Sequence, residues 1–128
     1  MKILLDTHIF LWFISNNKQL SERAYDAISN RDNEIYLSVV SVWEAMIKYQ
    51  LGKLPLPESP EIYLPTQRER HQIASLSISE TTITQLAQLP PLHNDPFDRL
   101  LLCQSLEHDL IMMTEDRAII SYPVANIF

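Results

Sequence analysis

The chain reads as an α/β domain, with a mainly parallel central sheet covered on both faces by helices. Three observations predict it. Short apolar runs at 3–5, 35–37 and 110–113 alternate with helical patterns along the chain. The run Leu110-Ile111-Met112-Met113 is apolar throughout, as a strand buried on both faces must be. A length of 128 residues with 46% hydrophobic content is enough for one domain with a real core.

The elements follow in order. Lys2-Ile3-Leu4-Leu5-Asp6-Thr7 is an apolar strand that terminates in Asp6. Thr7 or Asp6 then caps a short helix over 8–14, which is apolar nearly all round and so is buried or covers a partner surface. After the Asn16-Asn17 loop, Ser21 starts an amphipathic helix with Leu20, Ala24, Ala27 and Ile28 as its apolar positions. A polar turn at 30–33 leads to a second strand over 34–38. Ser41 followed three residues later by Glu44 has the form of a capping box, which starts the next helix at Ser41 and accounts for Glu44. That helix stops at Gly52. Residues 54–60 are a Pro-rich connector, and 61–71 is helical with a bend or break at Pro65.

Residues 72–78 read as a strand, with Ile73, Leu76 and Ile78 apolar. Ser79, with Thr82 three residues on, opens a helix over 80–89 that Pro90-Pro91 ends. Asp95 before Pro96 marks another start: an Asp N-cap, then Pro at the first helical position, where its missing N–H costs nothing. This helix runs through Leu100, Leu101, Leu102, Cys103 and Leu106 to about His108. The strand over 110–113 follows, then Thr114-Glu115-Asp116, a helical turn over 117–121 and a last short strand over 124–127.

Three acids share one structural context. Asp6 and Asp116 each follow an apolar strand, and in open parallel sheets ligand chemistry gathers at the carboxyl ends of strands. Asp98 sits in the first turn of a helix, where a carboxylate suits the positive end of the dipole. Each acid alone is explained by helix capping. Together they predict a carboxylate cluster able to hold a divalent metal.

The net charge of −6 argues against a generic nucleic-acid binder, which carries a basic face. A bound cation would cancel clustered acids locally, and ten Lys and Arg remain for phosphate, notably Lys48, Lys53, Arg68, Arg70 and Arg99. The single glycine excludes a P-loop or a dinucleotide fingerprint. The single cysteine, Cys103, cannot form an internal disulfide and reads as a buried structural thiol. No basic segment precedes a long apolar run, so neither a signal peptide nor a membrane span is expected, and the cytoplasm is the expected location.

Leu4-Leu5-Asp6-Thr7-His8, Ser41-Val42-Trp43-Glu44, Asp95-Pro96-Phe97-Asp98-Arg99-Leu100-Leu101 and Thr114-Glu115-Asp116 fall in the order and spacing of a PIN domain. More narrowly, the chain resembles the VapC-type toxins of toxin–antitoxin pairs, a subgroup in which Leu51-Gly52-Lys53-Leu54-Pro55-Leu56-Pro57 is also typical. The likeness spans residues 1–128 as a single PIN domain. It implies a compact three-layer α/β/α fold and a metal-dependent endoribonuclease acting on RNA. It further implies a small cognate antitoxin as partner and a homodimer. Asp6, Glu44, Asp98 and Asp116 match the acidic positions of the family. Asp95 belongs to the subgroup pattern and is read as the helix cap.

Phosphodiester hydrolysis needs an activated water and neutralised phosphoryl oxygens. Hard oxygen ligands select Mg²⁺ or Mn²⁺, and no His/Cys set stands at zinc spacing. Asp6 and Asp98 are the expected principal ligands. Glu44 and Asp116 add ligands or orient the attacking water, and Thr7 and Thr114 hold the carboxylates. Arg99 is a candidate phosphate contact, with a salt bridge as its other use. With a metal to activate water, neither His8 nor His93 is required as an acid–base group. Trp12, Phe13 and Trp43 could stack on bases, but at helical spacing they fit core or interface better. A silent PIN-like binding module is the rival reading, and the full acid set weighs against it. A phosphatase of α/β type is disfavoured because position 8 is His where a second Asp is needed.

Overall fold

A computed structural model of the chain describes residues 1–122 and 127–128. Among these residues four strands, β1 (Lys2–Leu5), β2 (Glu34–Ser38), β3 (Ala74–Leu76) and β4 (Ile111–Met113), form one parallel sheet in the order β3-β2-β1-β4. The helices among the described residues are α1 (Thr7–Ile14), α2 (Glu22–Ser29), α3 (Val39–Gln50), α4 (Pro60–Arg70), α5 (Glu80–Gln88), α6 (Pro96–Glu107) and α7 (Arg117–Ile120). The chain steps outward from β1 to β2 and β3, then returns to lay β4 on the other side of β1. The boundary between β1 and β4 is therefore the topological switch point, the place beyond the strand ends where ligand chemistry gathers in such sheets.

Alternation along the strands builds the two outer layers. Ile3, Leu5, Ile35, Leu37 and Met113 share a core with Ile9, Phe10 and Phe13 of α1, Ala24 and Ile28 of α2, and Leu64 of α4. Leu4 and Met112 point the other way, against Leu100 to Cys103 of α6 and Ile119 of α7. Complete burial of Leu4, Leu101 or Met112 stabilises the fold by roughly 1.5–3 kcal/mol each. Cys103 is fully buried in this second layer, and burial pushes its thiol above the usual range.

Several local expectations change. The helix after β2 begins at Val39, because Ser38 reaches the N-cap first and its Oγ accepts from Val40 N at 3.0 Å. Ser41 thus lies inside α3, and the capping-box account of Glu44 fails. The helix α4 runs unbroken through Pro65, whose absent N–H leaves only the carbonyl of exposed Glu61, in the first turn, for water to serve. The third strand is shorter than 72–78. Gln72, at φ 56°, and Ile73, whose N–H donates to Arg68 O, are used up closing α4. Gly52 does terminate α3, at φ 72°.

The 8–14 helix is mainly internal, with Ile9, Phe10 and Phe13 buried and Leu11, Trp12 and Ile14 partly so. Trp43 is neither core nor hidden: it is 47% exposed and packs edge-on to Phe97 at 4.9 Å. The last predicted strand falls largely on 123–126, outside the described residues, although Ile127 bridges Met112 in parallel. Among the described residues no helix is long and apolar enough to cross a membrane.

Candidate active site

Four segments bring acids to the switch point. Asp6 follows β1 at the N-cap of α1, yet its side chain makes no capping bond. Its Oδ2 instead accepts from Thr114 Oγ1, at the end of β4, at 2.8 Å. Pairing of Asp6 N with Met113 O at 2.9 Å brings these two strand ends together. Asp116 N in turn donates to Thr114 Oγ1 at 3.0 Å, which holds the next acid nearby.

The helix α3 contributes Glu44, which is 2% exposed. Thr7 Oγ1 donates to Glu44 Oε1 and Lys48 Nζ donates to Oε2, both at 2.7 Å. Thr7 Oγ1 also lies 2.8 Å from Ser41 Oγ, so both hydroxyls serve this corner of the site. Lys48 stands one helical turn after Glu44, the spacing at which side chains on a helix meet.

The start of α6 divides its labour. Asp95 Oδ1 accepts from Phe97 N at 2.9 Å and from Asp98 N at 3.4 Å, so Asp95 is the cap. Asp98, three residues in, is left facing the other acids and is 6% exposed. His93 Nε2 lies 2.8 Å from Asp98 Oδ2 and 3.7 Å from Asp116 Oδ2. The backbone beside that ring is fastened where His93 N donates to the buried Tyr122 hydroxyl at 3.1 Å. Asp116 splits its oxygens, because Oδ1 accepts from Ala118 N at 2.9 Å and caps α7.

Crowding sets the electrostatics. Burial pushes the Asp98 carboxyl up to about 7; the His93 contact opposes this, while the charges of Asp6, Asp95 and Glu44 add to it. Burial also raises Asp6, against the Thr114 hydrogen bond and His8, and Glu44 raises it further. Burial alone would lower the Lys48 ammonium, but the bond to Glu44 and the charges of Glu44, Asp95 and Asp98 outweigh it and hold Lys48 above its usual range. Asp6, Glu44, Asp95 and Asp98 therefore lie within one field. Those raised carboxyls mark a place short of positive charge, and the oxygen-rich donor set fits a hard divalent cation such as Mg²⁺ or Mn²⁺.

Asp6, Thr7, Glu44, Asp98, Thr114 and Asp116 thus gather at one crevice, with Asp95 at its edge as a helix cap. Arg99 does not join them as a phosphate contact. Its Nη2 donates to Leu86 O and Leu89 O at the end of α5, at 3.4 and 3.1 Å. Two side chains that sequence reasoning left out of the site are in it. His93 was set aside because a metal-activated water leaves no need for an imidazole, and Lys48 was read as a phosphate contact although its place four residues after Glu44 was legible.

Comparison with known proteins bears on the family and the fold. A protein of Mycobacterium tuberculosis (strain ATCC 25618 / H37Rv) named Ribonuclease VapC22 is 26% identical over 125 residues, covering 94% of this chain and 91% of that one. The solved structure of VapBC2 from Rickettsia felis, bound to a DNA fragment from their promoter, superposes with a TM-score of 0.74. It covers 100% of this chain and 98% of that one at 16% identity, a likeness of fold. A toxin–antitoxin complex from Klebsiella pneumoniae gives a TM-score of 0.65 at 16% identity over 98% of this chain and 95% of that one. The family model of the PIN domain matches residues 3–124, nearly the whole sequence, and the chain belongs to the PIN domain family.

Proposed function

We propose that this chain is a divalent-metal-dependent endoribonuclease and the toxin of a toxin–antitoxin pair, with residues 1–128 forming one PIN unit. The observation that carries the reading is the buried carboxylate cluster at the switch point, in which Asp98 is pushed up to about 7. Similarity to a protein named as a VapC ribonuclease supports the chemistry. A fold shared with a toxin–antitoxin complex supports the biological setting.

Asp6 and Asp98 would be the principal ligands of Mg²⁺ or Mn²⁺, with Asp116 and Glu44 completing the set. The ion would supply positive charge to the phosphoryl oxygens and acidify water at neutral pH. The protein's part is orientation. Thr114 aims Asp6, Thr7 aims Glu44, and Lys48 neutralises the outer oxygen of Glu44, so that these acids are held ready. The antitoxin would be a small protein encoded beside the toxin. An arginine from it could enter the acidic crevice, because a guanidinium binds carboxylates bidentately. We place the protein in the cytoplasm as a homodimer, with exposed Val39, Trp43 and Ile62 as apolar surface for pairing.

The purified chain should cut RNA with Mg²⁺ or Mn²⁺ and stop doing so with chelator. Its expression alone should arrest growth, and the neighbouring small protein should restore it. Metal-loaded protein that leaves RNA intact and growth unaffected would instead make this an RNA- or protein-binding module.

A further inference from the structure

Among the described residues His93 is the one imidazole that reaches two of the acids, and the proposed reading assigns it no role. Its Nε2, a carboxylate oxygen of Asp98 and one of Asp116 all lie within 4.8 Å of one another. Neighbouring ligands of an octahedral ion at about 2.1 Å stand about 3 Å apart. The 2.8 Å and 3.7 Å separations from His93 Nε2 to these two oxygens bracket that spacing. The three groups could therefore close on one ion with small side-chain rotations.

Two features hold His93 at this post. Its backbone N–H is tied to Tyr122, which is 2% exposed in the core layer under α6 and α7. The two acids it faces are themselves fixed by helix starts, Asp98 in the first turn of α6 and Asp116 at the cap of α7. The ring is also largely shielded, with its side chain 20% exposed, so the nitrogen is part of the crevice wall.

We propose that His93 Nε2 is a metal ligand alongside Asp98 and Asp116, and that it tilts the site toward Mn²⁺ over Mg²⁺. The inference rests on the metal-dependent reading above and refines it. Mg²⁺ takes oxygen ligands and keeps its waters, whereas imidazole nitrogen favours first-row transition ions. Mn²⁺ belongs to that series and, like Mg²⁺, suits a carboxylate-rich octahedral site. For Nε2 to offer its lone pair, the ring proton must sit on Nδ1, the tautomer that metal-bound histidines adopt when they bind through Nε2.

The test loads the protein with Mn²⁺ in nitrogen-free buffer and records electron spin-echo modulation. Wild type should show ¹⁴N coupling of a directly bound imidazole. His93→Gln should lose it and bind Mn²⁺ roughly tenfold or more weakly, with a smaller change for Mg²⁺. His8→Gln, which alters the histidine whose charge acts on Asp6, should keep the coupling. Mn²⁺ bound by wild type without ¹⁴N coupling, or with coupling that survives His93→Gln, overturns the ligand assignment alone. A wild type that binds neither Mn²⁺ nor Mg²⁺ overturns the metal-dependent reading as well.

Discussion

The starts of α1 and α6 use the same local pattern, an aspartate before the first helical turn, and put it to opposite uses. At α6 the carboxylate of Asp95 stays home and caps the helix, and a second acid, Asp98, enters the crevice. At α1 the cap position is filled by Asp6, but its carboxylate leaves the helix and binds Thr114 across the sheet. The difference lies in what stands opposite. Asp6 has a hydroxyl on the neighbouring strand end, whereas the Asp95 oxygen finds its partners in the backbone N–H groups of its own helix. Position before a helix therefore does not separate a cap from a ligand; the partner across the switch point does.

The comparison breaks most visibly in catalysis. Asp6→Asn and Asp98→Asn should each lower RNA cleavage by at least about 100-fold, since losing a ligand exceeds the roughly 10–100-fold cost of losing a supporting residue. Asp95→Ser, which retains a capping oxygen, should leave cleavage near wild type. An Asp95→Ser variant that loses cleavage while its thermal stability is unchanged would move Asp95 into the site and erase the contrast.

Acid titration sharpens it next. The folded-state value of Asp98, about 7, lies above its unfolded value of about 4. Between these pH values the folded chain keeps a proton that the unfolded chain has released, so stability falls as pH rises from about 4 to about 7. Asp98 alone gives a slope that approaches 1.4 kcal/mol per pH unit at most, about one proton, and Asp6, raised as well, adds in the same direction. Denaturation of metal-free protein across this range should show the decline, and Asp98→Asn or saturating Mn²⁺ should flatten it. A flat wild-type profile would contradict the crowding of acids around Asp98.

The smallest effect concerns the cap alone. Asp95→Ala should cost about 0.5–2 kcal/mol in urea unfolding, and Asp95→Ser only a small part of that. Equal losses for both variants would mean that Asp95 does something other than cap α6.

Much of this architecture was legible before any coordinates. Buried parallel strands are apolar on both faces, so β1 and β4 announced themselves, and Asp95-Pro96 marked the start of α6 without ambiguity. The capping-box reading of Glu44 failed for a physical reason, while its place among the site acids stood. Ser38 and Ser41 both precede apolar helical residues, and only sheet register decides which one meets the free N–H groups. Arg99 was ambiguous because its reach depends on where α5 ends, a tertiary fact. The shortened β3 reflects the same limit, since closure of α4 claimed residues whose own preference is extended. His93 could be placed only by its anchor to Tyr122, twenty-nine residues later in the chain.

Cys103 turns the helix that carries Asp98 into a clock. The reacting form of a thiol is its thiolate, and full burial both hides the sulfur and disfavours that form. Alkylation must therefore wait for α6 to lift from the sheet, so the labelling rate counts opening events of that helix. An ion bridging Asp98 to Asp6 or Asp116 would fasten α6 to the strand ends and slow the count. One unreactive sulfur thus reports, from the far side of the helix, on whether the crevice is filled.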